Sequence, residues 1–230
     1  MKAIKHNCDL NTCMLCQRCL PEWKPAVGHH RQNLLYRKGE SIFEEGKTVN
    51  GIYLVYSGLV KVHKYWNEEK DLILRFASRG DILGHRGLGR DSLYPVSATA
   101  LEDVVLCYFP MEFFISTLKV NHEFLFDLMM FYAAELKESE RNMRNLAHMP
   151  VKGRIAQALC TLQEKFGEAP DGSIKIQISK QDLAAFVGTT YETFFRMINE
   201  LIAENLISVA GRRIYLTNDK KLEELTLLPR

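Results

Sequence analysis

The sequence predicts an α+β fold in three successive parts: a glycine-punctuated β-barrel or roll, one long helix, and a C-terminal group of short helices closed by a hairpin. Three observations carry this expectation. Glycines at 39, 46, 51, 58, 80, 84, 87 and 89 separate short runs of β-branched and aromatic residues, the pattern of an antiparallel sandwich or barrel. After Pro110 the apolar residues change to a helical period. Beyond Pro150, two capping boxes follow one another across a single glycine.

Composition limits the function classes. Of 230 residues, 47% are hydrophobic and 25% charged, which argues against a disordered chain. The longest mostly apolar stretch, Phe124 to Leu136, is interrupted by Asp127 and falls short of the roughly 20 residues of a membrane span. The first residues lack the apolar segment of a secretion signal, so a cytoplasmic location is expected. A net charge of +2 is too small to announce a nucleic-acid partner by itself.

Cysteine usage is the departure from the ordinary. Cys8, Cys13, Cys16 and Cys19 crowd into the N-terminal arm, whereas Cys107 and Cys160 stand alone. In a reducing compartment such clustering indicates metal binding or redox chemistry rather than disulfides. Residues 1–22 show little hydrophobic periodicity and read as an arm that only a metal would order.

The barrel is expected over 23–118, with strands at 51–56, 59–63, 72–76 and 104–109. A long helix over 119–149 carries Leu125, Met129, Tyr132, Leu136, Ser139, Met143 and Leu146 at alternating spacings of four and three, a heptad seam suited to a dimer. Ser139 loosens that seam. Pro150 ends the helix, and residues 150–230 form the third part. There, a helix covers Val151–Phe166 and a turn follows at 170–172. Ser179 to Asp182 caps a helix stopping at Gly188, and Thr189 to Glu192 caps a second reaching about Asn205. Two short helices joined through glycine are a helix-turn-helix signature, and residues 206–216, turning at Gly211, read as its wing.

In this order the parts resemble the CRP/FNR family of bacterial transcription regulators across nearly the whole chain. The matching runs are Gly39–Gly46, Tyr53–Gly58, Gly80–Gly84 and Ser179–Thr193. The resemblance implies a β-roll or jelly-roll sensor domain like a cyclic-nucleotide-binding domain, a dimerisation helix and a winged helix-turn-helix. It also implies double-stranded DNA carrying an inverted repeat as the target, a homodimer as the binding form, and RNA polymerase as a further partner.

Within the family, the closer resemblance is to the fumarate–nitrate branch, which holds an oxygen-labile [4Fe–4S] cluster. That implies ligation by Cys13, Cys16, Cys19 and Cys107, the last on a late barrel strand. The Cys-x₂-Cys-x₂-Cys run suits thiolates wrapping a cluster. Its last spacing is shorter than that branch shows, which leaves Cys8 open as a substitute for Cys13 or Cys19. Zinc on the four arm thiolates and haem, with His29 and His30 as ligands, are the alternatives. Cys160 reads as core. His85 stands where a cyclic-nucleotide pocket needs a ribose-binding carboxylate, so cyclic AMP is not expected as effector; Arg86, Arg90 and Ser92 read as a solvated loop.

On the second helix of the pair, Phe194, Met197, Ile198, Leu201 and Ile202 form the expected buried stripe, and Glu192, Phe195, Arg196 and Asn199 the opposite face. Arg196 suits guanine and Glu192 cytosine, in the family's Glu-x-x-x-Arg pattern. Phe195 replaces the serine common in the fumarate–nitrate branch, and a thymine methyl is its natural partner. Thr189, Lys180, Arg212 and Arg213 resemble phosphate contacts. Competing readings are a haem- or nitric-oxide-sensing regulator, a cyclic-nucleotide-binding one, and an iron–sulfur electron carrier or thiol oxidoreductase. An enzyme is not expected, because no Ser/His/Asp set or thioredoxin-like βαβ unit surrounds the cysteines.

Overall fold

The computed structural model describes residues 2–3, 13–67 and 70–227, with residue 70 described by its backbone alone. The chain divides into two compact units, Met1–Glu135 and Leu136–Arg230, with the division inside the long helix.

The first unit begins with strand β1 (Lys2–Ala3), then helices α1 (Met14–Arg18) and α2 (Lys24–His30). Strands follow at β2 (Gln32–Tyr36), β3 (Ser41–Phe43), β4 (Gly51–Ser57), β5 (Val60–Asn67), β6 (Lys70–Ala77), β7 (Ile82–Leu83), β8 (Ser97–Ala100) and β9 (Val104–Pro110). They form two antiparallel sheets, ordered β1-β2-β9-β4-β7 and β3-β8-β5-β6. Helix α3 (Met111–Val120) precedes α4 (His122–His148). The single helix expected over 119–149 therefore starts at His122, and Asn121 breaks it from α3.

The pleat explains why β4 and β9 read as continuous hydrophobic runs. Tyr53, Val55, Val104 and Leu106 join the core between the two sheets, whereas Ile52, Leu54, Cys107 and Phe109 join a second core on the outer face. Alternate side chains point to opposite faces, so both faces of these strands are buried. The second core is completed by the arm and by α3 and α4. It holds Leu15, Val27, Phe113, Phe114, Phe124 and Leu128.

In the second unit, α5 (Val151–Phe166) has the expected bounds. Helix α6 (Lys180–Val187) begins at Ser179, whose hydroxyl accepts from the Asp182 amide, and ends at left-handed Gly188 (φ 70°, ψ 49°). That conformation is the usual helix stop and favours glycine. Helix α7 (Tyr191–Ala203) is capped by Thr190, one residue later than expected, through a bond to the Thr193 amide. Glu192 is consequently the second residue of the helix, not the third. Strands β10 (Ile207–Ala210) and β11 (Arg213–Leu216) pair across Gly211 (φ +64°) as the wing. Helix α8 (Asp219–Thr226), not expected from the sequence, is capped by Asn218 and buries Leu222. It approaches α5 so closely that a Cβ on Gly153 would lie 2.7 Å from the Leu225 carbonyl oxygen. Among the described residues, no helix is long and apolar enough to cross a membrane.

Candidate functional site

The described end of the arm, from residue 13, is helical: Cys13 caps α1, its Sγ accepting from the Cys16 amide at 3.3 Å. A thiol at a helix start performs the work of a serine cap, which composition alone does not reveal. Cys13, Cys16, Cys19 and Cys107 are all buried and belong to the one outer-face core. They and Cys160 are thiols rather than disulfides. Cys107 arrives there because β9 turns its odd-numbered residues outward; its Sγ lies 3.6 Å from Asn33 Oδ1. Hydrogen bonding to Cys16 holds the Cys13 thiol down at about 7, against the upward push of burial. Burial raises the Cys19 thiol, with Lys24 opposing. A partly ionised thiol beside buried neighbours is chemically suited to ligate iron, because the thiolate is the metal ligand.

Among the described residues, no three His, Cys, Asp or Glu side chains converge around a point that would hold a single metal ion. A cluster of four irons takes one thiolate at each iron, so its four sulfurs surround a common centre at a longer radius than the ligands of a single ion. Cys8 lies outside the described residues, so the four-thiolate zinc alternative is described only in part. His29 and His30 close α2, and the His30 ring stacks on Phe113 with centroids 4.2 Å apart. Cys160 is partly buried on α5, and burial pushes its thiol up.

The turn at Gly84 holds the second feature. His85 is buried, and its Nε2 pairs with Glu135 Oε2 of α4 at 2.8 Å. Arg75 and Arg86 approach the same carboxylate at 3.2 Å each. A carboxylate does face this turn, then, but α4 supplies it and three basic side chains engage it. Burial opposes its ionisation, but the His85 hydrogen bond and the charges of Arg75 and Arg86 prevail and hold it at about 2. Burial keeps His85 neutral, outweighing Glu135; its Nε2–H donates and its Nδ1 is buried without a partner. Tyr132 belongs to this group, its hydroxyl donating to the His85 carbonyl. The heptad placed Tyr132 on the dimer seam; the structure turns it half-buried toward the barrel. The remaining seam residues are open: Leu125, Met129, Leu136, Ser139, Met143 and Leu146 are exposed in the single chain.

In the second unit, Phe194, Ile198 and Leu201 are buried on α7, whereas Ile202 is exposed near the helix end and Met197 lies half-buried. Glu192, Phe195, Arg196 and Asn199 are exposed on the other side, as the periodicity requires. Lys180 and Arg212 line a cleft of about 340 Å³ with Gln181, Tyr191 and Val209. Lys180 is not simply a surface cation: its Nζ lies 5.3 Å from the Phe195 ring centroid. Arg213 is paired with Asp171 and is less available to phosphate than Arg212. Thr189 is a half-buried turn residue whose amide donates to the Ala184 carbonyl. Tyr191, exposed and stacked on Phe195, escaped the sequence reading. Its position four residues before Phe195 was the available signal.

Known proteins agree with this arrangement. The cyclic nucleotide-binding domain model matches residues 34–121, and the Crp-like helix-turn-helix domain model matches residues 153–225. The chain is 31% identical over 185 residues to the cAMP-activated global transcriptional regulator CRP of Salmonella typhimurium, covering 78% of this chain and 86% of that one. It is 30% identical over 171 residues to the anaerobic regulatory protein of Bacillus subtilis, covering 73% and 72%. Among solved structures it resembles TTHA1359, a CRP/FNR-family transcriptional regulator from Thermus thermophilus (TM-score 0.70, 29% identity, 84% of this chain and 97% of that one). The fold also matches FixK2 from Bradyrhizobium japonicum (TM-score 0.77, 23% identity, 87% and 99%). A β-roll, a long helix and a winged helix-turn-helix with an exposed polar row on α7 thus coincide with relatives that regulate transcription. The chain is a DNA-binding transcription regulator of the CRP/FNR family.

Proposed function

We propose that this regulator is a homodimer whose binding to an inverted-repeat operator is controlled by oxygen or a related redox signal through a [4Fe–4S] cluster held by Cys13, Cys16, Cys19 and Cys107. The observation that carries the reading is the burial of those four thiols in one core with Phe124 and Leu128 of α4. The cluster supplies a centre whose integrity depends on the redox environment.

The chain's own residues do the rest. The cysteines anchor α1 against the outer face of β4 and β9, and Arg18 ties it to Asp127 of α4 at 2.9 Å. Leu15 and Phe124, both fully buried, bring the arm and α4 into one core. Arm order thereby favours one packing of α4, whose exposed apolar residues meet a second copy. In that dimer the two α7 helices would read half-sites about 34 Å apart. RNA polymerase is the further partner the family resemblance implies.

One relative is named as an anaerobic regulatory protein and another as cAMP-activated. The first fits the cysteine centre. The second is disfavoured as a model for the effector, because Glu135 already engages Arg75, His85 and Arg86.

The deciding experiment is purification without oxygen, followed by a visible spectrum and iron and sulfide assay. A brown chromophore with both elements is expected. A sharp Soret band, or a colourless zinc protein, overturns the reading. Alanine at each of Cys8, Cys13, Cys16, Cys19 and Cys107 then identifies the ligands; undiminished cluster in Cys107→Ala removes the fourth.

A further inference from the structure

Helix α7 carries two outward rows, and only one is polar. Glu192 and Arg196 form the first. Tyr191 and Phe195, also one turn apart, form the second and are 46% and 43% exposed. Their rings stack with centroids 6.2 Å apart and planes inclined by 22°, within the range of favourable aromatic pairs. The Lys180 ammonium at the start of α6 lies within cation–π distance of the Phe195 ring.

The two rings thus act as one apolar surface, fixed by each other and by a cation. They occupy the first two turns of the second helix of the pair, the part that contacts base edges in helix-turn-helix proteins. In the major groove the apolar feature of a base pair is the thymine C5-methyl. Lys180 and Arg212 flank Tyr191 along the same cleft, which suits a groove wall of phosphates.

We propose that Tyr191 and Phe195 form a single aromatic platform that reads thymine C5-methyls beside the base pair read by Glu192 and Arg196, making Tyr191 a specificity determinant. Lys180 is a positioning residue that steadies the Phe195 ring. The proposal rests on α7 being the recognition helix.

The test uses the full chain in its DNA-binding form and an operator selected from random duplexes. Each thymine is replaced singly by deoxyuridine, which removes the methyl and leaves pairing unchanged. Wild type should lose roughly fourfold in affinity at one or two thymines per half-site, the equivalent of burying one CH₂ group. Tyr191→Ser and Phe195→Ser should each lose that sensitivity, and Phe195→Leu should retain part of it. Lys180→Met should blunt the sensitivity as well as weakening binding. An operator without thymine beside the Arg196 position, or methyl sensitivity that survives both serine variants, overturns the platform. Arg196→Ala separates the two levels. If it relaxes one base pair while methyl removal has no effect, the platform alone fails; if it too leaves base preference unchanged, the recognition-helix reading fails.

Discussion

The backbone amide of Leu20 donates to Asn121 Oδ1 at 2.7 Å, joining positions 101 residues apart. Asn121 is buried, its own amide donates to the Thr117 carbonyl, and its carbonyl accepts from Leu125 in the first turn of α4. The end of the cysteine segment is therefore held by the residue from which α4 starts.

Asn121→Ala leaves the part-buried Leu20 amide without this acceptor, a loss of about 0.5–1.5 kcal/mol. Thermal unfolding of the sensor unit should shift down accordingly, and operator affinity of protein purified without oxygen should fall. Asn121→Asp keeps the acceptor oxygen but sets a buried carboxylate against the Thr117 carbonyl, and should lose at least as much. Equal stability and affinity in the alanine variant would show that this tie carries no signal.

The Glu135 group predicts acid sensitivity. Glu135 is held at about 2 against an ordinary 4.5. Its contribution is therefore present above pH 4.5 and lost as pH falls toward 2, about 3 kcal/mol in all. His85, also lowered, works in the same direction: acid favours the unfolded chain, where the ring protonates more readily. Urea denaturation of wild type and Glu135→Gln across this range checks it. The variant should be weaker near neutrality and should show a flatter slope below pH 4.5.

Association through α4 predicts that Leu136→Asp or Met143→Asp shifts the protein toward monomer in sedimentation. Tyr132→Phe, which removes only the bond to the His85 carbonyl, should leave association intact. A dimer that survives both aspartates would place the contact elsewhere.

On the wing, Arg212→Ala should weaken all sequences alike and reduce the salt slope by about one. Arg213→Ala should do less, because Asp171 already neutralises its guanidinium. Binding measured at several salt concentrations distinguishes them.

The legible features were those set by local chemistry. The Ser179 cap, the Gly188 stop and the Gly211 turn each depend on neighbours within a few residues. The alternation of β9 was also readable, but not that its outer face would receive the arm. Tyr132 and Glu135 were misread or missed because their roles come from His85, which is some fifty residues away in sequence and near only after folding. Heptad spacing specifies a face without specifying which residues at its margin turn inward. Helix α1 was missed because cysteine is an uncommon helix cap, and α8 was missed although Asn218 is an ordinary one.

If the cysteine centre controls DNA binding, operator affinity must follow its iron. The most direct measurement is operator affinity of one preparation, purified without oxygen, before and after exposure to air, with iron content followed in parallel. Tight, sequence-specific binding is expected at first, then loss of specific binding and of the dimer as iron is released. Cys107→Ala is expected to behave from the outset like the air-exposed protein. Affinity that stays constant while the iron is lost, or Cys107→Ala that binds as wild type does, would contradict it.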